Sequence, residues 1–182
     1  MPDRSVRVAW VADAPAMART QARAWRTSYR DLLPRLVLDD LDTEALAERW
    51  AHDLRRPPAA AHRALVALEA DRVAGFAATG PSDDPDAEPG RDAEMTLLVV
   101  DPDRTGQGHG SRLLSAVADT ARADGFTRVT TWVFATDDAM RAFLQSAGWA
   151  PDGAHREKVV DAEDAEADPV HQIRLHTSLE DA

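Results

Sequence analysis

Three glycines alternate at Gly106, Gly108 and Gly110 in the stretch DPDRTGQGHGSRLL, residues 101–114. Each glycine weakens a helix by about 1 kcal/mol relative to alanine, yet a helical pattern follows at once. Gly110, Leu113, Leu114, Val117 and Ala121 share one face of an amphipathic helix that ends near Gly125. Upstream, EMTLLVV (94–100) is the continuous apolar run of a strand buried on both faces, and Pro102 stops it. A bare backbone between a buried strand and a helix start lets unpaired N–H groups approach an anion closely. The positive end of the helix dipole favours the same guest, a phosphate or pyrophosphate.

Two common phosphate loops fail on spacing. Walker A ends in Gly-Lys-Ser/Thr, which is absent here. The dinucleotide fingerprint wants a glycine where Ser111 stands, an acidic residue at the end of the next strand, and several βαβ units. Only one such unit is visible. VRVAWV (6–11) alternates as a first strand, and Asp13 then caps a helix that carries Pro15 in its first turn. Met17, Ala24, Trp25 and Ser28 follow helical spacing, with Gln21 the one polar interruption. Residues 31–41 read as an irregular connector around Pro34. A second helix runs from Asp42 or Thr43 to about Leu54, with Leu46 and Trp50 on one face.

Residues 63–80 form a hairpin turning at 69–72, 128–134 a strand, and Met140, Phe143, Leu144 and Ala147 a helical face closed by Gly148. A final pair of strands covers 155–160 and 170–176. The order β-α-α-β-β-β-α-β-α-β-β predicts a mixed α/β (α+β) sheet of six to seven strands with about four helices. One domain, 1–182, is expected at this length.

The net charge of −11 is local. Residues 81–94 carry six acids and one arginine, and 161–168 carry five acids and no base. Two solvated acidic loops are expected, or a rim that attracts a cationic acceptor; the composition of 81–94 also suits a flexible gate. No basic stripe offers itself to nucleic acid. No run approaches the roughly 20 apolar residues of a membrane helix, and the start MPDRSVRVAW lacks a signal-peptide core, so a cytoplasmic protein is expected. Cysteine is absent and the six histidines have no ligand spacing, so no metal is expected.

LLVVDPDRTGQGHGSRLL resembles motif A of the GNAT superfamily, the acetyl-CoA-dependent N-acetyltransferases, and DDAMRAFLQSAGW (137–149) resembles motif B. The likeness covers about 6–160. It implies a GNAT fold whose strand 94–100 splays from strand 128–134, and acetyl transfer from acetyl-CoA to a primary amine in a ternary complex. It implies that the backbone of Leu98, Val99 and Val100 pairs with the pantetheine arm. The N–H groups of Gly106, Gln107, Gly108, His109, Gly110 and Ser111 would cradle the pyrophosphate. Asp137 stands where an asparagine usually contacts the cofactor, and Phe143 packs beside the pantetheine end. Trp25 and Tyr29 lie on the helix that lines the acceptor cleft.

Departures matter for the chemistry. Thr105 replaces the usual Arg or Gln, Asp137 replaces Asn, and Leu144 replaces the tyrosine that protonates the leaving thiolate. Tyr29, the only tyrosine, is the alternative acid, or else shapes the substrate site with Trp25; water can also reprotonate a thiolate. An ammonium has no lone pair, so a base is needed, and Glu94 is the best-placed carboxylate. Period-2 alternation would put Glu94, Thr96, Leu98 and Val100 on one face, letting Thr96 orient a water. A backbone N–H near Leu98 would hold the thioester carbonyl. His109 is expected exposed or beside phosphate, without a catalytic role. A homodimer through an exposed C-terminal strand is a further expectation. The alternative to an enzyme is a GNAT-fold module that binds acyl-CoA without chemistry, which Leu144 and Asp137 favour.

Overall fold

The computed structural model describes residues 3–158 and 169–180; the second acidic run, 161–168, lies outside the described residues. The elements in chain order are β1 (Arg4–Val8), α1 (Ala14–Ser28), α2 (Arg35–Asp39), α3 (Thr43–Arg55), β2 (Arg63–Glu69), β3 (Arg72–Pro81), β4 (Asp92–Val100), α4 (His109–Ala123), β5 (Arg128–Phe134), α5 (Asp138–Ser146), β6 (Ala150–Lys158) and β7 (Val170–Ser178). The seven strands form one mixed sheet in the order β1-β2-β3-β4-β5-β7-β6, antiparallel at every joint except β4–β5. This is the expected architecture with one more helix. The connector 31–41 is not wholly irregular, because Pro34 starts α2 and its carbonyl accepts from Val37 and Leu38. The last strand, β7, lies inside the sheet between β5 and β6, so it offers no free edge for pairing two subunits.

Helices cover both faces. On one, α4 lays Leu113, Leu114, Val117 and Ala121 against Ala93, Met95, Val129 and Leu175. On the other, Met17 and Ala24 of α1 and Trp50 of α3 pack on Val66, Phe76 and Val99. Each large apolar side chain so buried contributes about 1.5–3 kcal/mol. The polar interruption on α1 is satisfied, for buried Gln21 accepts from the Trp50 indole at 2.8 Å. Asp42 caps α3 by accepting from Glu44 and Ala45 at 2.8 and 3.1 Å. Asp13 does not cap α1 as expected. A 3₁₀ turn over Val11–Asp13 precedes that helix, and the carboxylate accepts from Trp10 N–H and Arg7 instead.

Two further expectations change. The register of β3 on β4 pairs Ala78 with Leu97 and Thr79 with Met95, leaving Thr96 as the extra residue of a bulge. A bulge resets side-chain alternation. Ala93, Met95 and Leu98 therefore face α4, while Leu97 and Val99 pack on the α1/α3 side. Glu94, between Ala93 and Met95, points to the α1/α3 side. It shares that face with Leu97 and Val99, not with Leu98 and Val100.

The acidic loop 82–91 is clamped rather than free. Arg174 of β7, nearly buried, forks onto Asp86 with two 2.6 Å bonds and also holds Asp84 at 3.1 Å and Asp152 at 2.7 Å. Composition alone suggested disorder because the cation lies far away in sequence. Hydrogen bonding from Arg174 lowers the Asp86 carboxyl from 3.8 to about 2, while the Arg174 guanidinium is raised.

Two outcomes test this packing. Gln21→Leu leaves the Trp50 N–H without its acceptor and should cost about 1–3 kcal/mol in urea unfolding. Arg174→Met removes the cation shared by Asp84, Asp86 and Asp152, while Asp152 keeps Arg128 at 2.6 Å and Asp84 keeps the Trp132 indole; it should cost about 1–3 kcal/mol, with faster amide exchange across 82–91. The Asp86 share of the clamp is complete above pH 3.8 and is lost as pH falls through about 2, so exchange in this loop should rise across that window.

Candidate active site

β4 and β5 hydrogen-bond through only three registered pairs, Asp92–Arg128, Ala93–Val129 and Glu94–Thr130. Thr131 Oγ1 still donates to Met95 O at 2.8 Å. Beyond that point the strands part, and among the described residues the Leu97–Val100 edge of β4 has no partner strand on its β5 side. Added twist at the Thr96 bulge accompanies the split.

A groove of about 650 Å³ opens along this edge and runs to the start of α4. Leu98, Val99, Val100, Gly106, Gly108, His109, Gly110, Ser111, Asp137 and Phe143 all line it. Gly108 is the N-cap of α4 at φ +82°, with no side-chain cap, so the first N–H groups of the helix are not occupied by a capping side chain. A Cβ on Gly108 would meet Arg112 Nη1 at 2.8 Å. One on Gly110 would meet the Phe143 ring at 3.0 Å, so this glycine lets α5 approach the helix start. Gln107 is the exception among the expected residues. Its carbonyl and side chain are held by Arg4 at 3.0 and 3.2 Å, and it does not line the groove.

His109 is buried, contrary to expectation, with neither ring nitrogen paired. Burial and then the charges of Arg4, Arg112 and Arg104 lower its pKa, so it stays neutral. The Trp25 indole N–H is likewise buried without a partner. Both side chains line the groove, and buried polar atoms left unpaired are uncommon away from functional sites.

A second cavity, about 360 Å³, lies across the split. Five aromatic residues line it, Trp25, Tyr29, Trp50, Trp132 and Phe134, together with the polar Gln21 and Gln172 and the cation Lys158. Thr96 lines it too, as does Leu144, which is fully buried in the α4-side core. Trp25, Tyr29, Leu98, Asp137 and Met140 line both cavities and form the neck between them. Tyr29 meets the Phe134 ring edge-on at 5.1 Å. Burial, then the Asp137 charge, pushes its phenol up to about 12. It is a proton-bearing phenol at any physiological pH.

Trp132 is fixed from behind. Its indole donates to Asp84 at 3.0–3.1 Å and Arg156 stacks 4.2 Å over the ring, so the loop clamp also positions a cavity wall. Glu94 lines neither cavity. Burial, then Asp84, raises its carboxyl pKa, and Arg156 and Arg174 also act on it. Met140, Trp132 and Gln21 carry no local signal that selects them for this site, although Trp132 sits in an obvious strand. Among the described residues no cluster of metal-ligating side chains occurs, and no helix is long and apolar enough to cross a membrane.

Residues 21–149 match the acetyltransferase (GNAT) family, and the chain belongs to it. The uncharacterized N-acetyltransferase YuaI of Bacillus subtilis (strain 168) is 27% identical over 129 residues, covering 71% of this chain and 70% of YuaI. The fold is similar to that of the PaiA N-acetyltransferase of Thermoplasma acidophilum in complex with coenzyme A, at TM-score 0.70 and 13% identity over 97% of this chain and 99% of that one. It is also similar to YncA of Salmonella typhimurium with its cofactor acetyl-CoA, at TM-score 0.68 and 20% identity over 99% and 96%.

Because Tyr29 is the only tyrosine, its ionisation is directly readable by ultraviolet difference absorbance. The phenolate should appear with a midpoint near 12; a midpoint near 10 would mean that the ring is solvated.

Proposed function

We propose that this protein transfers an acetyl group from acetyl-CoA to a primary amine by direct attack in a ternary complex. The observation that supports this most is the meeting of two cavities at one neck, one beside a free strand edge and helix N-terminus, the other walled by aromatic rings. Acetyl-CoA supplies an acetyl group already activated as a thioester. The backbone of Leu98, Val99 and Val100 pairs with the pantetheine arm, and Phe143 packs beside it. The N–H groups from Gly106 to Ser111, Gln107 contributing only backbone, hold the pyrophosphate. A β4 N–H near Leu98 holds the thioester oxygen as charge develops there.

Trp25, Tyr29 and Thr96 border the acceptor. Glu94 is the base that works through water, since it lines neither cavity. Tyr29, kept protonated by burial and by Asp137, is the only side-chain hydroxyl other than Ser and Thr available to return a proton to the thiolate. The apolar Leu144 supports the second reading, an acyl-CoA-binding module without turnover.

Acetyl-CoA should raise the melting temperature, while NAD and ATP should not; no shift with acetyl-CoA would sink both readings. Gly108→Ala, strained at φ +82° and crowded by Arg112, should abolish most of the shift. Thiol release with amines separates enzyme from module. Turnover should climb with pH as the raised Glu94 carboxyl ionises, and Glu94→Gln should flatten that limb.

A further inference from the structure

We infer that Asp137 is the group that receives the acceptor's ammonium, and that the acceptor is a small primary amine with an apolar, flat body. The inference rests on the acetyltransferase reading and specifies its second substrate.

Asp137 is the one carboxylate, among the described residues, that lines either cavity, and it lines both. It therefore stands where the amine nitrogen must meet the acetyl carbon. Its two oxygens have separate duties. Oδ1 caps α5 by accepting from Met140 N–H at 3.0 Å, which fixes the carboxylate at the neck. Oδ2 makes no hydrogen bond among the described residues. A half-buried carboxylate with a spare oxygen at the neck is placed to take a cation through a charge-assisted bond. Asparagine, which the family resemblance leads one to expect here, would cap the helix equally well without that charge. The cap uses one oxygen, which leaves the second oxygen and the negative charge facing the neck.

The surroundings say what the cation is attached to. The rings of Tyr29 and Phe134 meet edge-on beside the neck, and aromatic faces attract an ammonium. Beyond them Trp50 and Trp132 wall a cavity of about 360 Å³, which is room for a ring-sized substituent but not for a folded protein surface. Trp132 is held by Asp84 and Arg156, so that wall is preset rather than adaptable.

The test uses the full-length protein saturated with CoA and titrated with 2-phenylethylamine or with its uncharged counterpart, 2-phenylethanol. The amine should bind at least about tenfold more tightly, the value of one hydrogen bond to a charged group. Asp137→Asn and Asp137→Ser both retain a capping oxygen, and unfolding curves verify that each is folded. Both should lose the preference, and in acetyl transfer should raise the KM for the amine about tenfold while the melting shift with acetyl-CoA persists. An amine preference that survives in both variants, or is missing from the parent protein with CoA bound, overturns the inference alone. Failure to bind CoA at all defeats the acetyltransferase reading beneath it.

Discussion

The separation of β4 from β5 after three pairs is the constraint on which the site depends. In a parallel pair held along its length, the N–H and C=O groups that Leu97–Val100 turn away from β3 would be used by β5. Here they are not, and unpaired backbone groups in a partly buried groove favour an extended ligand that completes the ladder. The split also opens a passage through the sheet, so a ligand on one side can meet a ligand on the other. The Thr96 bulge, the parting strands and the cap on α5 act together. Each helps place Leu98, Asp137 and Tyr29 around one opening.

The second organising device is electrostatic. Arg174 ties the loop 82–91 to β7, and Asp84, a member of that network, holds the indole of Trp132. An acidic segment that by composition resembles solvated chain becomes a buttress behind an aromatic wall. Asp84 also contributes to raising Glu94, so the network influences both the Trp132 wall and the proton affinity of a nearby carboxylate.

The groove at the start of α4 was legible in the sequence because its information is local. Alternating glycines, a buried apolar strand before them and a helical face after them lie within about thirty residues. The aromatic-lined cavity was not, because its walls come from residues between Gln21 and Gln172 with no shared spacing. The bulge depends on how β3 registers with β4, which the β4 sequence alone does not encode. The clamp joins Arg174 to acids some ninety residues away. His109 is buried rather than exposed, because its spacing from Leu113 and Val117 puts it on the inward face of α4, and it still lines the groove at the helix start. The helix count differed because the connector around Pro34 holds the short α2, whose first turn closes on the Pro34 carbonyl.

The cap at Asp137 carries a consequence for how such a site can diversify. Only a few residue types terminate a helix start well, and among them Asn and Asp have nearly the same shape. The charge at the meeting point of the two cavities can therefore be switched by exchanging an amide for an acid, with the helix start retained in either state. The charge at that opening is thereby decoupled from the folding of α5.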